Sequence, residues 1–311
     1  MNTHFSCVGC GKCCSDHHVP LTLAEARQWA ADGGNIIILV EAFLGNGLGL
    51  PVNQREHAER RSVVVPSGTA EAFVAITFAA YNAGRCRNLD EDNRCGIYER
   101  RPLVCRIYPM EINPHIPLST ATKDCPPESW EQGPALIVGG ELVDAQLAEL
   151  IRRSRQADRD DVQTKEAVCA LLGICTTALK GDGFTAYLPD MNAFAQAIEL
   201  AVQQPTASNE WVFHVSAMDV AEQMLDAGAR IATQVPANYA FISLRASWHA
   251  SSQPGQAFDF YAGIVQQLAG GERGTRRQAV RRKIAGINAV HRRKIVDVGK
   301  NHRAFGHPVH S

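Results

Sequence analysis

The 311-residue sequence predicts an α+β protein in two parts: a small cysteine-rich N-terminal domain with short strands, then a mainly α-helical C-terminal domain. Three observations lead there. Eight of the ten cysteines fall within the first 125 residues. Residues 61–66 and 72–81 are rich in Val, Ile, Phe and Thr and flank Pro66-Ser67-Gly68, the pattern of two strands and a turn. From residue 142 to 234 apolar residues recur mostly at helical spacing. Breakers accumulate at Cys125-Pro126-Pro127 and Gly133-Pro134, which puts a boundary near residue 135. The divisions expected are residues 1–135, a helical part over 136–271, and a basic tail over 272–311.

Taken in order, Thr22 with Glu25 three residues later has the form of a capping box, and a helix to Ala31 is stopped by Gly33-Gly34. The Gly-containing, then polar stretch 45–60 reads as a loop. The two strands follow and lead directly into Cys86. Helices are expected over Leu142–Ile151, Lys165–Leu179, Met191–Gln203 and Ala217–Gln234, with Pro189, Pro205 and Pro236 at or between their ends. Val280, Ile284, Ile287 and Ile295, set among Arg and Lys, suggest a basic amphipathic helix in the tail.

Composition narrows the classes. The chain is 45% hydrophobic with 20% charged residues and can fill a core, while ten cysteines in this length are far too sparse for a disulfide-stapled miniprotein. The net charge of −1 conceals an asymmetry: residues 271–311 carry eleven Lys and Arg against Glu272 and Asp297 alone. Such a tail could contact an acidic protein or nucleic acid, or fold back on the acidic body. Met1–Cys7 has no basic and apolar signal pattern, and Ile36–Val40, followed by Glu41, is too short to span a bilayer. The expectation is a cytoplasmic protein with no membrane span. In that reducing compartment, grouped cysteines are metal ligands or redox groups before they are disulfides.

The cysteine grouping is specific. Cys7-x2-Cys10-x2-Cys13-Cys14 is interleaved with Gly9 and Gly11, and Cys86-x8-Cys95-x9-Cys105-x19-Cys125 follows after 71 residues. A C-x2-C turn converges two thiolates on one ion, and glycine lets backbone N–H groups turn toward sulfur. Eight thiols make two sets of four, or one set with spares. Adjacent Cys13 and Cys14 point apart in an extended chain, so they serve different sites or one is not a ligand. Asp90-Glu91-Asp92-Asn93 suits a polar turn inside the second group. Metal joining both groups would close a long loop and constrain the unfolded chain by about 4 kcal/mol. Cys169 and Cys175 lie in an apolar helical context and read as core packing.

Phe5 to Cys14, together with Cys95-Gly96-Ile97-Tyr98-Glu99-Arg100-Arg101-Pro102-Leu103-Val104-Cys105-Arg106-Ile107-Tyr108-Pro109, resembles the YkgJ-type cysteine-cluster family, described as a zinc- or iron-chelating CxxCxxCC domain. The resemblance covers residues 5–130 and implies a metal site without a defined activity. The cofactor expected is an iron–sulfur cluster, of which 4Fe–4S is one form, or zinc. Cys125-Pro126 resembles the remote Cys-Pro that completes ferredoxin clusters, and Lys12, Arg100, Arg101 and Arg106 could offset thiolate charge. His17 and His18, and less directly His115, are candidate imidazole ligands. The radical-SAM spacing, the G-x-G-x-x-G and phosphate-loop patterns and G-x-S-x-G are absent. Two classes follow: a non-catalytic metal-binding or interaction protein, and a protein-modifying enzyme similar to flagellin lysine N-methylases, whose first cysteine run is spaced differently.

Overall fold

A computed structural model describes residues 2–15, 17–82, 84–203, 209–232 and 239–243. Within them the chain forms β1 (Thr3–His4), β2 (Val19–Leu21), α1 (Leu23–Ala31), β3 (Ile36–Leu44), α2 (Arg55–Glu59), β4 (Val63–Ser67) and β5 (Ala70–Ala80). It continues through α3 (Leu103–Ile107), α4 (Glu128–Glu131), β6 (Ala135–Val138), β7 (Glu141–Leu142), α5 (Ala145–Asp160) and α6 (Val162–Leu171). Last come β8 (Thr176–Leu179), β9 (Gly183–Tyr187), α7 (Met191–Gln203), β10 (Val212–His214), α8 (Met218–Asp226) and β11 (Ala240–Ser243).

The architecture is mixed α/β, built on one eight-stranded sheet and one three-stranded sheet. This corrects the expected fold class, in which the C-terminal part was mainly helical. β3 is the centre. It pairs antiparallel with β5 along its whole length, while its other edge is shared by β9, antiparallel at Ile38–Val40, and β8, parallel at Glu41 and Ala42. β2 and β4 share the outer edge of β5. β10 lies parallel to β8, and β11 antiparallel to β9. Strands from both sides of residue 135 therefore hydrogen-bond into one sheet.

The reason for the missed strands is physical. Thr176–Leu179 is buried at all four positions, so it shows no alternation and reads as a continuation of the helix before it. The break is Gly173, in the left-handed region at φ 68°, which ends α6. β3 escaped notice for the same reason: Ile36-Ile37-Ile38-Leu39-Val40 is covered on both faces. The expected loop 45–60 contains α2. The strand pair around Gly68 is present, although Pro66 and Ser67 belong to β4 and the turn falls at Gly68-Thr69.

The main core lies between the sheet and α1, α6 and α7, where Phe78 and Phe194 meet edge to face at 5.2 Å. A second, smaller core of Ile107, Leu136, Leu147 and Ile151 joins α3, α5 and the small sheet. α3 sits on the seam: Val104 and Cys105 pack toward the first core, Leu103 toward the second. α3 is thereby fixed from two sides. Among the described residues no helix is long and apolar enough to cross a membrane. The tail over 272–311 lies outside the described residues, as does any helix in it.

Candidate metal centre

The first cysteine run is a tight turn. Gly9 and Gly11 have φ of 67° and 70°, which only glycine adopts without strain, and Lys12–Cys14 forms one turn of 3-10 helix. A side chain on Gly11 would meet Asn93 Cβ at 3.0 Å and Leu89 Cδ2 at 3.2 Å. The first run is therefore laid directly on the Cys86–Cys95 loop.

The contact between the two groups continues a strand ladder. Val19 pairs with Ala80 at the end of β2 and β5. Beyond it, Asn82 N–H donates to His18 Nδ1 at 3.3 Å and its amide donates to the His17 carbonyl at 3.0 Å. Ser15 then bridges Arg85, and Cys86 N–H donates to the Cys14 carbonyl at 2.7 Å. From Cys86 the loop closes on itself. Leu89 bridges Cys95, Gly96 N–H donates to Asn88 O at 2.7 Å, and Asp90 Oδ1 accepts from the N–H groups of Asp92 and Arg94. The expected polar turn is present, with Asn93 at φ 62°.

Cys105 is carried by α3, whose first N–H, on Leu103, donates to Glu25 Oε1 at 2.7 Å; Glu25 Oε2 accepts from Thr22 N–H in the capping box of α1. Cys125 comes from a third direction. Its Sγ lies 3.5 Å from the Tyr108 hydroxyl. The chain after it turns through Ser129 N–H to Pro126 O, and Ser6 N–H donates to Ser129 O at 2.9 Å, so Cys7 starts beside Cys125. The Phe5 ring on Trp130 at 5.0 Å and β1 paired with β6 fix that junction.

The thiols perturb one another. Cys13 and Cys14 Sγ are 3.9 Å apart. Their shared hydrogen bond pushes the Cys13 thiol up and lowers Cys14 to about 6, where Arg101 and His17 add to the fall. Burial pushes Cys105 up to about 12, and Cys14, Cys86 and Cys95 reinforce the shift. Burial raises Cys86 with help from Cys14 and Cys95, and raises Cys125 with help from Cys10 and Cys7. Burial also raises Tyr108, where Cys125 and Cys13 contribute. All ten cysteines are free thiols. The residue types are the soft donors that zinc and iron take. Yet among the described residues no three Cys, His, Asp or Glu side chains converge on a metal position.

The remaining sequence candidates separate. His17 Nε2 pairs with Asp124 at 2.8 Å, His18 is tied to Asn82 and stacked on Tyr81, and the His115 ring lies against His57. Arg101 packs its guanidinium over Tyr98 at 3.6 Å while facing Cys14. Lys12, Arg100 and Arg106 are exposed. Cys169 is fully buried in α6, whereas Cys175 lies outside the helix expected to hold it, half-buried just before β8. Tyr108 and Glu25 were not expected as site residues. The Cys-Arg-x-Tyr-Pro element carried the signal for Tyr108; nothing local signalled that Glu25 also caps α3.

No curated protein and no solved structure matches this chain. The flagellin methylase reading finds no support there. Residues 6–126, the span that holds all eight clustered thiols, match the model of the CxxCxxCC family, "Putative zinc- or iron-chelating domain".

Proposed function

We propose that this protein chelates zinc or iron, iron being held as an iron–sulfur cluster, through Cys7, Cys10, Cys13, Cys14, Cys86, Cys95, Cys105 and Cys125. One observation carries the reading: four separate chain segments deliver thiols around the Cys13–Cys14 turn, tied there by the Cys86–Cys14 backbone bond and the Tyr108–Cys125 contact. The family description supports zinc or iron as the ion.

The chain's own residues define what it can do for such a centre. Four thiolates on a divalent ion leave two negative charges; Arg101 faces Cys14, and Lys123 lies 5.3 Å from the Tyr108 ring beside Cys125. When bound, the ion cross-links sheet, α3 and the N-terminus, or supplies electron transfer if it is an iron–sulfur cluster. Anaerobic purification followed by metal analysis and a visible spectrum is the test. Bound zinc in a colourless protein, or bound iron in a protein with broad visible absorption, supports the proposal. A colourless chain holding neither metal after reconstitution overturns it.

A further inference from the structure

Cys13 and Cys14 are neighbours whose side chains an extended backbone would aim at opposite faces. The fold does otherwise. Gly11, at φ 70°, leads the chain into the 3-10 turn of Lys12–Cys14, and the two sulfurs share a hydrogen bond at 3.9 Å. Among the described residues this is the one hydrogen bond that joins sulfur to sulfur. The turn is held on both sides. Cys14 N–H donates to Gly11 O at 3.0 Å and Ser15 N–H to Lys12 O at 3.1 Å, while the Cys14 carbonyl accepts from Cys86 N–H at 2.7 Å. Asn93 and Leu89 stand against Gly11. Both thiols are half-buried, so small solutes reach them, whereas Cys169 is sealed in the core and Cys125 is bonded to the Tyr108 hydroxyl.

We propose that Cys13 and Cys14 form a modification site, a dithiol that a hydroperoxide converts to a disulfide between the two neighbours. One sulfur attacks a peroxide oxygen: an S–O bond forms, the O–O bond breaks, and the leaving oxygen departs as water or an alcohol with the thiol's proton. The other sulfur then attacks the sulfenic sulfur: the S–S bond forms, the S–O bond breaks, and water leaves with the second proton. Two electrons pass from the sulfurs to the peroxide, and no other reactant is needed. The peptide between the two residues is trans. It sets their Cα atoms about 3.8 Å apart, below the range of roughly 4.4–6.8 Å found in ordinary disulfides. The closed bond is therefore strained and easily reduced by a thiol, which makes the modification reversible. This chemistry needs only the sulfur contact. Its consequence rests on the metal-binding reading: sulfurs bonded to each other are no longer thiolate donors, so the disulfide and a metal held through Cys13 and Cys14 exclude one another.

Peptide mass spectrometry on the full chain tests this. The reduced, metal-free protein is treated with graded hydrogen peroxide, denatured in iodoacetamide and cut with trypsin. Cleavage after Lys12 and Arg27 releases residues 13–27, whose only cysteines are Cys13 and Cys14. After peroxide this peptide is expected to be two hydrogen masses lighter than its reduced form and to carry no alkyl group. Reduction with dithiothreitol before alkylation should return both thiols. Cys13→Ser and Cys14→Ser should each abolish the lighter species. Cys169 resists iodoacetamide only while the chain is folded, so labelling without denaturant shows that the protein met the peroxide in its folded state. Recovery of the peptide with both cysteines alkylated across the series, or its capture in a disulfide with another peptide, overturns the proposal. In parallel, the oxidised chain is expected to bind less zinc than the reduced chain, and to regain it after reduction and desalting. Equal zinc binding by the two forms overturns the exclusion. A reduced chain that takes neither zinc nor, with ferrous iron and sulfide, iron removes the metal reading and the exclusion with it, while the peptide mass still decides the disulfide.

Discussion

At Glu25 one carboxylate serves two helices: Oε2 closes the capping box of α1 and Oε1 accepts the first N–H of α3, two residues before Cys105. The acid three residues after Thr22 was legible as a cap, because the capping box is a local pattern. Its second partner is 78 residues away and has no local signature. Removing the side chain orphans two N–H groups at once. Glu25→Ala is expected to destabilise by about 1–3 kcal/mol in urea unfolding, and to loosen Cys105, read as faster thiol labelling below the transition. Glu25→Gln, which keeps an acceptor oxygen, should recover part of the loss. The cysteines show the same division between local and distant information. Their spacing told which eight belong together, since chelating turns are local. Which thiol neighbours which depends on Tyr108, Ser129 and the Ser15–Arg85 bridge, contacts set by the fold.

Elements with their own punctuation were readable. α7 runs Met191–Gln203 as its apolar spacing predicted, with the Asp190 carboxylate accepting from the N–H groups of Asn192 and Ala193. α1 matches for the same reason. β8 and β9 were not readable because their form depends on partners: Thr185 and Tyr187 hydroxyls both donate to the Thr176 carbonyl, across the seam with β3. Isolated, Thr176–Leu179 has no reason to be extended. The converse applies to β3, which has β8 and β9 on one edge. A fragment of residues 1–135 leaves that edge bare over Ile38–Ala42, where Glu41, whose partner Lys180 is also lost, is the one charge among apolar residues. It is expected to aggregate or stay incompletely folded, with broadened amide dispersion by NMR, whereas the full chain remains dispersed. A monomeric, cooperatively melting fragment would contradict this.

The whole molecule carries a pH dependence from its interior. His214 is buried, stacked on Phe241 at 4.2 Å and hydrogen-bonded with the Tyr239 hydroxyl at 2.9 Å. Burial pushes its imidazole down to about 3 from the usual 6.5. A lowered folded value means the unfolded chain takes up the proton first, so stability is full above about 6.5 and falls steadily as pH drops toward 3. At pH 4.5 this amounts to about 2–3 kcal/mol, at 1.36 kcal/mol for each unit below 6.5. Urea unfolding at pH 7.5 and 4.5 measures it, and His214→Phe should flatten that part of the slope. A variant with the wild-type slope would assign the acid sensitivity elsewhere.

The ladder that runs from Val19 and Ala80 to Cys14 and Cys86 has a consequence for the sheet as a polymerisable surface. β2 is three residues long, and it covers the last backbone groups of β5, at Phe78, Ala79 and Ala80. So short a strand holds its place through Val19 and Leu21 in the main core, through α1 and α3 packed on it, and through what lies beyond it, the thiol cluster. Oxidising or alkylating Cys14 and Cys86 would unfasten a cover from a template, offering the β5 edge to a strand of another molecule. Damage to these thiols would then register first as self-association, before any loss of the core beneath.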